Sequence, residues 1–591
     1  MFGLSLRSSR ARAAAATAIV VGSLYVFPLL LDLPLVDPDE GLHAAIALEM
    51  VEQGDWITPR LLGEPFLDKP ILFFWAQAGA LAVFGTHEAA VRLPGLVFGL
   101  LGAGATALIG RRLAGRRAGL LAGLFYATMA LPLALHQAAV HDVALVPWTT
   151  LALLALWNAA VPPPGLKPRR YQREGPEPRR CEDEGLEPRR GSRVIRWSVV
   201  AGLWLGLAVL TKGVVGVALV GLAHAAALLA FRRVRPVVVL GGGLALVVAA
   251  IVAAPWYLAM EQANSGYLHY FFVERHVLGY TTSTQIHAYR PWWYYLPIVA
   301  GGGFPWVAFL PLAAWIAVPA GKLGRTTPHR DAARYAWIWL VSSLLFLSAA
   351  GSKLVTYVLP ALPAVALLSA IAWDHALGRR EDDAGVPPAP TLRAAVVLVA
   401  SVGAAMAPLA LFIAAWRYGV PHGPTAWVAA AAATLAWTVG IAVGWRRGRL
   451  PALATVFGAM VVTAVVLLSS TMPRVAAVLS ARDLARFLNA QAAMPSTTWV
   501  VGERIGSLVF YLDPARRQGL TPDRLVHVEV NDVLRMAIPQ ADALVAVSSQ
   551  HVASVQRRLP LDRVAYEQAG LYRVYSARAL HAEIVEQRRR F

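Results

Sequence analysis

Apolar stretches of about twenty residues recur along this chain, and no other feature constrains the fold as much. A helix needs about 20 mostly apolar residues to cross the hydrocarbon core of a bilayer. The stretches lie at 13–33, 92–110, 118–136, 143–160, 195–210, 213–231, 237–254, 292–317, 335–350, 355–373, 393–416, 425–444 and 451–470, which predicts 13 spans. Of the 591 residues, 57% are hydrophobic and 15% charged. A soluble domain carries about 25% charged residues. These proportions exclude a soluble globular protein, a disordered chain and a collagen. The only cysteine, Cys181, excludes an intrachain disulfide and a cysteine-based zinc site.

The net charge of +19 is distributed in short runs between the apolar stretches. The runs are Arg111-Arg112 with Arg116-Arg117, the segment 165–196, Arg232-Arg233 with Arg235, Lys322 to Arg334, Arg379-Arg380, and Arg446-Arg447 with Arg449. That is the pattern of cytoplasmic membrane-protein loops rather than of a nucleic-acid surface, so no nucleic-acid partner is expected. Arg7, Arg10 and Arg12 precede the first span and set the N-terminus in the cytoplasm. With no A-x-A cleavage site after it, this span reads as a retained anchor. The stretch 70–85 is ambiguous. If it crossed the membrane, at least the first three basic runs would face outward, so it reads as a juxtamembrane helix lying in the interface.

The segment 165–190 repeats Pro-Arg-Arg from positions 168, 178 and 188. It has little to bury and is expected to be disordered, either a neutral insertion or a binder of lipid headgroups. Beyond Ser470 charged and apolar residues mix in soluble proportions. Thr498–Gly502, Ala543–Val547 and Leu571–Tyr575 read as strands, Asp483–Gln491 and His551–Arg558 as helices. The expected organisation is a transmembrane domain over 1–472 and a small α/β domain over 473–591. Thirteen spans from a cytoplasmic start place the second domain outside the cytoplasmic membrane, in the periplasm.

The same parity gathers a polar set on the outer face. Loop 34–91 carries Asp37, Asp39, Glu40, His43, Asp68 and Lys69. Loop 136–142 carries His136, His141 and Asp142, and loop 255–291 carries Glu261, His269, Glu274, Arg275, His276, His287 and Arg290. Of 54 basic residues only five are lysines, and Lys69, Lys212 and Lys353 all fall outside, against the positive-inside bias. Lysine binds phosphate as a compact point charge, so three lysines at the surface suit a phosphate at headgroup depth. Carboxylates on separate loops suit acid–base or charge-stabilising work. A transporter would place ionisable groups at mid-membrane on broken helices, and the predicted spans hold almost none. Plainer readings stand beside these. Asp37 ends or caps a helix, His136 and His141 are interfacial polar residues, and Trp292 to Tyr295 form an aromatic belt or line an acyl groove. Lys212 and Lys353 snorkel to bulk lipid phosphates.

An ordered set of motifs over 13–373 resembles the GT-C membrane glycosyltransferases of the protein O-mannosyltransferase and lipid A aminoarabinose transferase group, closest to the bacterial aminoarabinose branch. The set is Asp37-Pro38-Asp39-Glu40, Ala47-x-Glu49-Met50, Gly54-Asp55-Trp56-x-x-Pro59-Arg60, Asp68-Lys69-Pro70, Arg92-Leu93-Pro94 and Thr211-Lys212-Gly213. It continues with Pro255-Trp256-Tyr257, Tyr270-Phe271-Phe272, Pro291-Trp292-Trp293-Tyr294-Tyr295, Gly351-Ser352-Lys353-Leu354 and Tyr357-x-Leu359-Pro360. The resemblance implies 13 spans, juxtamembrane helices and an outer C-terminal domain, in the bacterial inner membrane. It implies transfer of a sugar, aminoarabinose or another pentose or hexose, from a polyprenyl-phosphate donor to an envelope acceptor such as lipid A. A protein or glycan acceptor, and a transporter or flippase of lipid-linked sugars, are the alternatives.

Asp39 and Asp142 match the family's acidic catalytic positions, and Lys69 the lysine that meets the carrier phosphate. Lys212, Lys353, Tyr357 and His43 fall on pocket positions for donor phosphate or lipid, with tyrosine common among relatives at His43. No cofactor is required. In the aminoarabinose branch an acidic residue and a histidine hold zinc, and the matching pair here is Asp68 and His276. Relatives often have glutamate at the first of these, so a structural zinc or other divalent cation is left as an open expectation.

Overall fold

The computed structural model describes residues 22–162, 187–281, 290–318, 329–378, 389–502, 505–530, 532 and 543–590. Arg7, Arg10, Arg12, most of the 165–190 repeat with Cys181, His287, Lys322 and Arg379-Arg380 lie outside them.

Among the described residues nine helices are long and apolar enough to cross a membrane, or ten if the bent pair Trp292–Gly302 and Trp306–Ala317 is one span. Nine of the thirteen expected stretches are these nine helices. The other four differ for local reasons. The first lies partly outside the described residues. The stretch 118–136 is two helices, Arg116–Thr128 and Ala130–Leu135, with Met129 extended between them. Pro132 has no N–H to donate to the Thr128 carbonyl, which favours a break there. Val215–Ala230 is a helix of only 16 residues. In 292–317 the two halves bend by 102°, where Pro305 withdraws another helical donor beside a run of glycines.

Five helices set up the site. Helix α1 (Asp39–Gln53) has Asp39 and Glu40 in its first turn and ends at Gly54, whose φ of 69° suits glycine. Helix α2 (Leu72–Phe84) has 13 residues. At 1.5 Å per residue it spans about 20 Å, short of a bilayer core of about 30 Å. Helix α3 (Glu88–Ala114) and helix α4 (His141–Ala160) follow. Helix α5 (Glu187–Lys212) ends at Gly213, φ 70°. The Arg92 guanidinium fastens α3 to the start of α1. It forms a two-pronged pair with the buried Glu40 carboxylate (2.7 and 2.9 Å) and donates to the Leu33 and Pro34 carbonyls.

The last long helix runs Arg449–Val478. Beyond it lies a five-stranded mixed sheet: β1 (Thr497–Val501), β2 (Leu525–Val528), β3 (Ala543–Ser548), β4 (Tyr566–Ala569) and β5 (Tyr572–Ser576), in the order β2-β1-β3-β5-β4. The β1 strand pairs in parallel with β2 and β3, and β5 pairs antiparallel with β3 and β4. Both faces are covered, which accounts for the unbroken apolar runs in β1 and β3. Trp499, Val501, Val545, Val547 and Tyr575 pack on one face. Val500, Ala546 and Val574 pack on the other, with Leu484 and Leu488 of helix α6 (Arg482–Ala490) and Leu508 of helix α7 (Gly506–Tyr511). Ala45 of α1 and Leu62 belong to this second core, so the first outer loop and the sheet domain share one apolar interior.

Candidate active site

Asp142 lies in the first turn of α4 and Lys212 in the last turn of α5. Each is the charge its helix end favours, a carboxylate at the N-terminus and an ammonium at the C-terminus. The two side chains form an ion pair with exposures of only 9% and 10%. The Lys212 ammonium also sits 3.8 Å from the centre of the Tyr357 ring, a cation–π contact. Lys212 is therefore held inside the protein by a counter-ion and a ring, and does not snorkel.

A cavity of about 140 Å³ opens beside this pair. Its polar wall carries Lys69, Asp68, Lys212, Arg275, His276 and Tyr357, and its apolar wall includes Leu145, Val215, Leu219, Phe346 and Leu347. Arg275 pairs with Asp68 Oδ2 (2.8 Å), and the Tyr270 hydroxyl donates to Asp68 Oδ1 (2.6 Å). Burial, with the hydrogen bond to Asp68 and that carboxylate's charge, pushes the Tyr270 hydroxyl up to about 12, so it stays a donor. Two of the three cavity cations are thus paired. The third, Lys69, is half-buried and has no hydrogen bond or ion pair among the described residues. Pro70 follows it, with fixed φ and no N–H.

His276 is held below the usual histidine range by burial, with the charges of Lys69 and Arg275 adding to the effect. It is neutral and donates from Nδ1 to the Phe271 carbonyl (2.7 Å). Asp68 and His276 share the cavity wall but offer a poor zinc set. Both Asp68 oxygens are engaged, one by a cation, and no group of three or more His, Cys, Asp and Glu side chains is placed to hold a metal among the described residues. A structural zinc takes four ligands. The residues present do not fit such a site, and no step below runs through a metal.

Asp39 is exposed in the first turn of α1, with no hydrogen bond or ion pair among the described residues. It lies close enough for its charge to act on His43, Lys212 and Tyr357. His43, one turn on, is buried and does not line the cavity. Its Nδ1 donates to the Ala139 carbonyl (2.9 Å), and its ring stands edge-on to Phe74 and His141. Burial lowers its pKa and keeps the imidazole neutral, against the raising effects of the Ala139 carbonyl and of Asp39.

Several sequence expectations change. Lys353 does not face the cavity. It is 4% exposed and its ammonium donates to the Ala350 and Arg290 carbonyls, so it ties loops together. His136 and His141 are not interfacial but buried, at 1% and 2% exposure. Asp37 does not cap α1. Its carboxylate accepts from Ser507, 470 positions away. Trp292 and Trp293 are exposed, as a belt requires, but Tyr295 is buried. Arg275 was not singled out from sequence, because one arginine among 49 carries no signal; its only clue was proximity to Tyr270-Phe271-Phe272.

The model of dolichyl-phosphate-mannose-protein mannosyltransferases matches residues 68–162, which contain Asp68, Lys69 and Asp142. An undecaprenyl phosphate-alpha-4-amino-4-deoxy-L-arabinose arabinosyl transferase from Pseudomonas paraeruginosa is 32% identical over 367 residues, 61% of this chain and 59% of that protein. The protein of that name from Pectobacterium atrosepticum is 32% identical over 364 residues, 60% of this chain and 58% of the relative. The matched part thus spans less than two thirds of the length of these relatives. The crystal structure of ArnT from Cupriavidus metallidurans bound to undecaprenyl phosphate superposes with a TM-score of 0.69 at 23% identity, covering 97% of this chain and 98% of that one. The archaeal oligosaccharyltransferase AglB from Archaeoglobus fulgidus gives 0.50 at 13% identity, covering 96% and 74%. The fold is that of the GT-C membrane glycosyltransferases. Within that class the chain is related to the bacterial undecaprenyl-phosphate aminoarabinose transferases.

Proposed function

We propose that the protein transfers a sugar from a polyprenyl-phosphate donor to an acceptor at the outer face of the cytoplasmic membrane. The observation that carries this reading is the free Lys69 ammonium between two already paired cations, at the polar end of an apolar cavity. A phosphate on an apolar chain matches both ends. Attack of an acceptor hydroxyl on the anomeric carbon breaks the bond from that carbon to the phosphate oxygen. The hydroxyl proton leaves to a base, for which exposed Asp39 is placed, and the phosphate departs with one more negative charge. Lys69, with Lys212 and Arg275 behind it, stabilises that added charge, so the leaving group needs no proton. Asp142 holds Lys212 in the wall.

Aminoarabinose as the sugar and a lipid such as lipid A as the acceptor are supported by the relatives' names and by the motif resemblance. The same reading sets 13 spans, a cytoplasmic N-terminus and a periplasmic domain over 473–591, supported by the side on which the basic runs fall. The test is turnover by purified protein given labelled polyprenyl-phosphate sugar in lipid vesicles. Release of polyprenyl phosphate with label in the acceptor supports transfer. Movement of intact donor between leaflets, with no bond broken, refutes it and makes the protein a flippase. Mass spectrometry of envelope glycolipids from a deletion strain identifies the sugar and the acceptor.

A further inference from the structure

The sheet domain meets the membrane domain on the helix that carries Asp39. Helices α1 and α7 touch backbone to backbone at Gly41 and Gly506. A Cβ on Gly41 would stand 2.4 Å from the Ser507 nitrogen, and one on Gly506 would stand 2.3 Å from the Leu42 nitrogen. Only glycine on both sides permits that approach. Beside it, the Ser507 N–H donates to Asp37 Oδ1 (3.0 Å) and the Ser507 hydroxyl donates to Asp37 Oδ2. The hydroxyl also accepts from the Ala481 N–H (2.8 Å), and the Asp37 N–H donates to the Leu479 carbonyl (2.9 Å). Asp37 and Ser507 are buried, so these bonds are not traded for water. The segment from Asp37 to Gly41 is thereby gripped on both sides of Asp39, whose own carboxylate stays exposed. A second attachment lies at the far end of α1, where Arg517 pairs with Glu52.

We propose that Ser507 is a positioning residue for transfer: through Asp37 and the Gly41–Gly506 contact, the sheet domain sets where Asp39 stands. This rests on the role given to Asp39 above. The donor phosphate site does not depend on the grip in the same way, since Lys69, Lys212 and Arg275 all lie outside α1.

The test compares full-length wild type with Ser507→Ala, Asp39→Asn, the double variant, and Arg517→Ala as a control at the remote attachment. Displacing a reacting group by about 1 Å can cost about 100-fold. Ser507→Ala is expected to lower kcat by about 10- to 100-fold with donor KM unchanged, and Arg517→Ala to leave kcat as it was. In the Asp39→Asn background, Ser507→Ala is expected to cost nothing further, because the two changes act on one group. Amide hydrogen exchange over 39–47 should quicken in Ser507→Ala. Retained kcat in Ser507→Ala, a loss that adds in full to that of Asp39→Asn, or unchanged exchange over 39–47 overturns the proposal. Wild-type protein that transfers no sugar refutes the functional reading instead, and exchange alone then decides whether Ser507 holds α1.

Discussion

Replacing Lys69 with alanine separates ligand binding from stability, because of what surrounds it. Lys69 is half-buried and has no hydrogen bond or ion pair among the described residues, so its removal leaves no buried partner unsatisfied. The fold should therefore lose little, as for a surface substitution, within about 0.5 kcal/mol. Donor affinity should fall by the worth of a charge-assisted hydrogen bond, about 1.5–3 kcal/mol, or roughly 10- to 150-fold. Lys69→Arg keeps the charge but brings a wider planar fork into a cavity of about 140 Å³, so it should recover only part of the affinity. The assay is competition by free polyprenyl phosphate against labelled donor, at fixed detergent and lipid, with thermal unfolding measured on the same samples. Equal inhibition constants for wild type and Lys69→Ala would refute the contact with phosphate. A large fall in unfolding temperature would refute the claim that Lys69 has no structural partner.

Lys212→Met strands the buried Asp142 carboxylate, and breaking such a pair costs about 3–5 kcal/mol; Lys212→Met with Asp142→Leu should recover much of it, as read by thermal unfolding of each variant. Asp39→Asn should insert and fold as wild type does, because the carboxylate is exposed, yet lose most turnover in the transfer assay. The folded-state pKa of His43 is lowered, so below the ordinary imidazole value near 6.5 the unfolded chain binds a proton that the folded protein resists. The His43 contribution is therefore intact at pH 8 and is lost as pH falls through 6.5. His43→Phe should show a smaller loss of unfolding temperature than wild type between pH 7.5 and pH 5.5, both marked as about the window set by that value. Chelator treatment should leave turnover unchanged, since Arg275 and Tyr270 already engage Asp68; a stoichiometric metal in purified protein, lost together with activity, would contradict this.

The membrane class, the rough positions of the spans and the main strands of the outer domain were all legible in the residues. Each depends on local patterning. A span is a continuous apolar run, and β1, β3 and β5 carry apolar side chains to two covered faces. Two other strands carried too little pattern to see: β2 holds His527 among only four residues, and β4 is the polar edge Tyr-Glu-Gln-Ala. Hydropathy also averages over the breaks that Pro132 and Pro305 favour, so two expected spans became bent or broken pairs.

Lys69, Asp142 and Lys212 stood out because lysine is scarce here and because an outer-face charge is unusual in a membrane chain. Only the tertiary structure decided which charges neutralise one another. Burial pairs Asp142 with Lys212 and Asp68 with Arg275, turns Lys353 back onto carbonyls, and leaves Lys69 and Asp39 unpaired among the described residues. The Asp37–Ser507 contact joins residues 470 positions apart. Charge neutralisation and glycine-to-glycine approach are properties of distance in space, and spacing along a chain carries no record of which distant segment will fold against it.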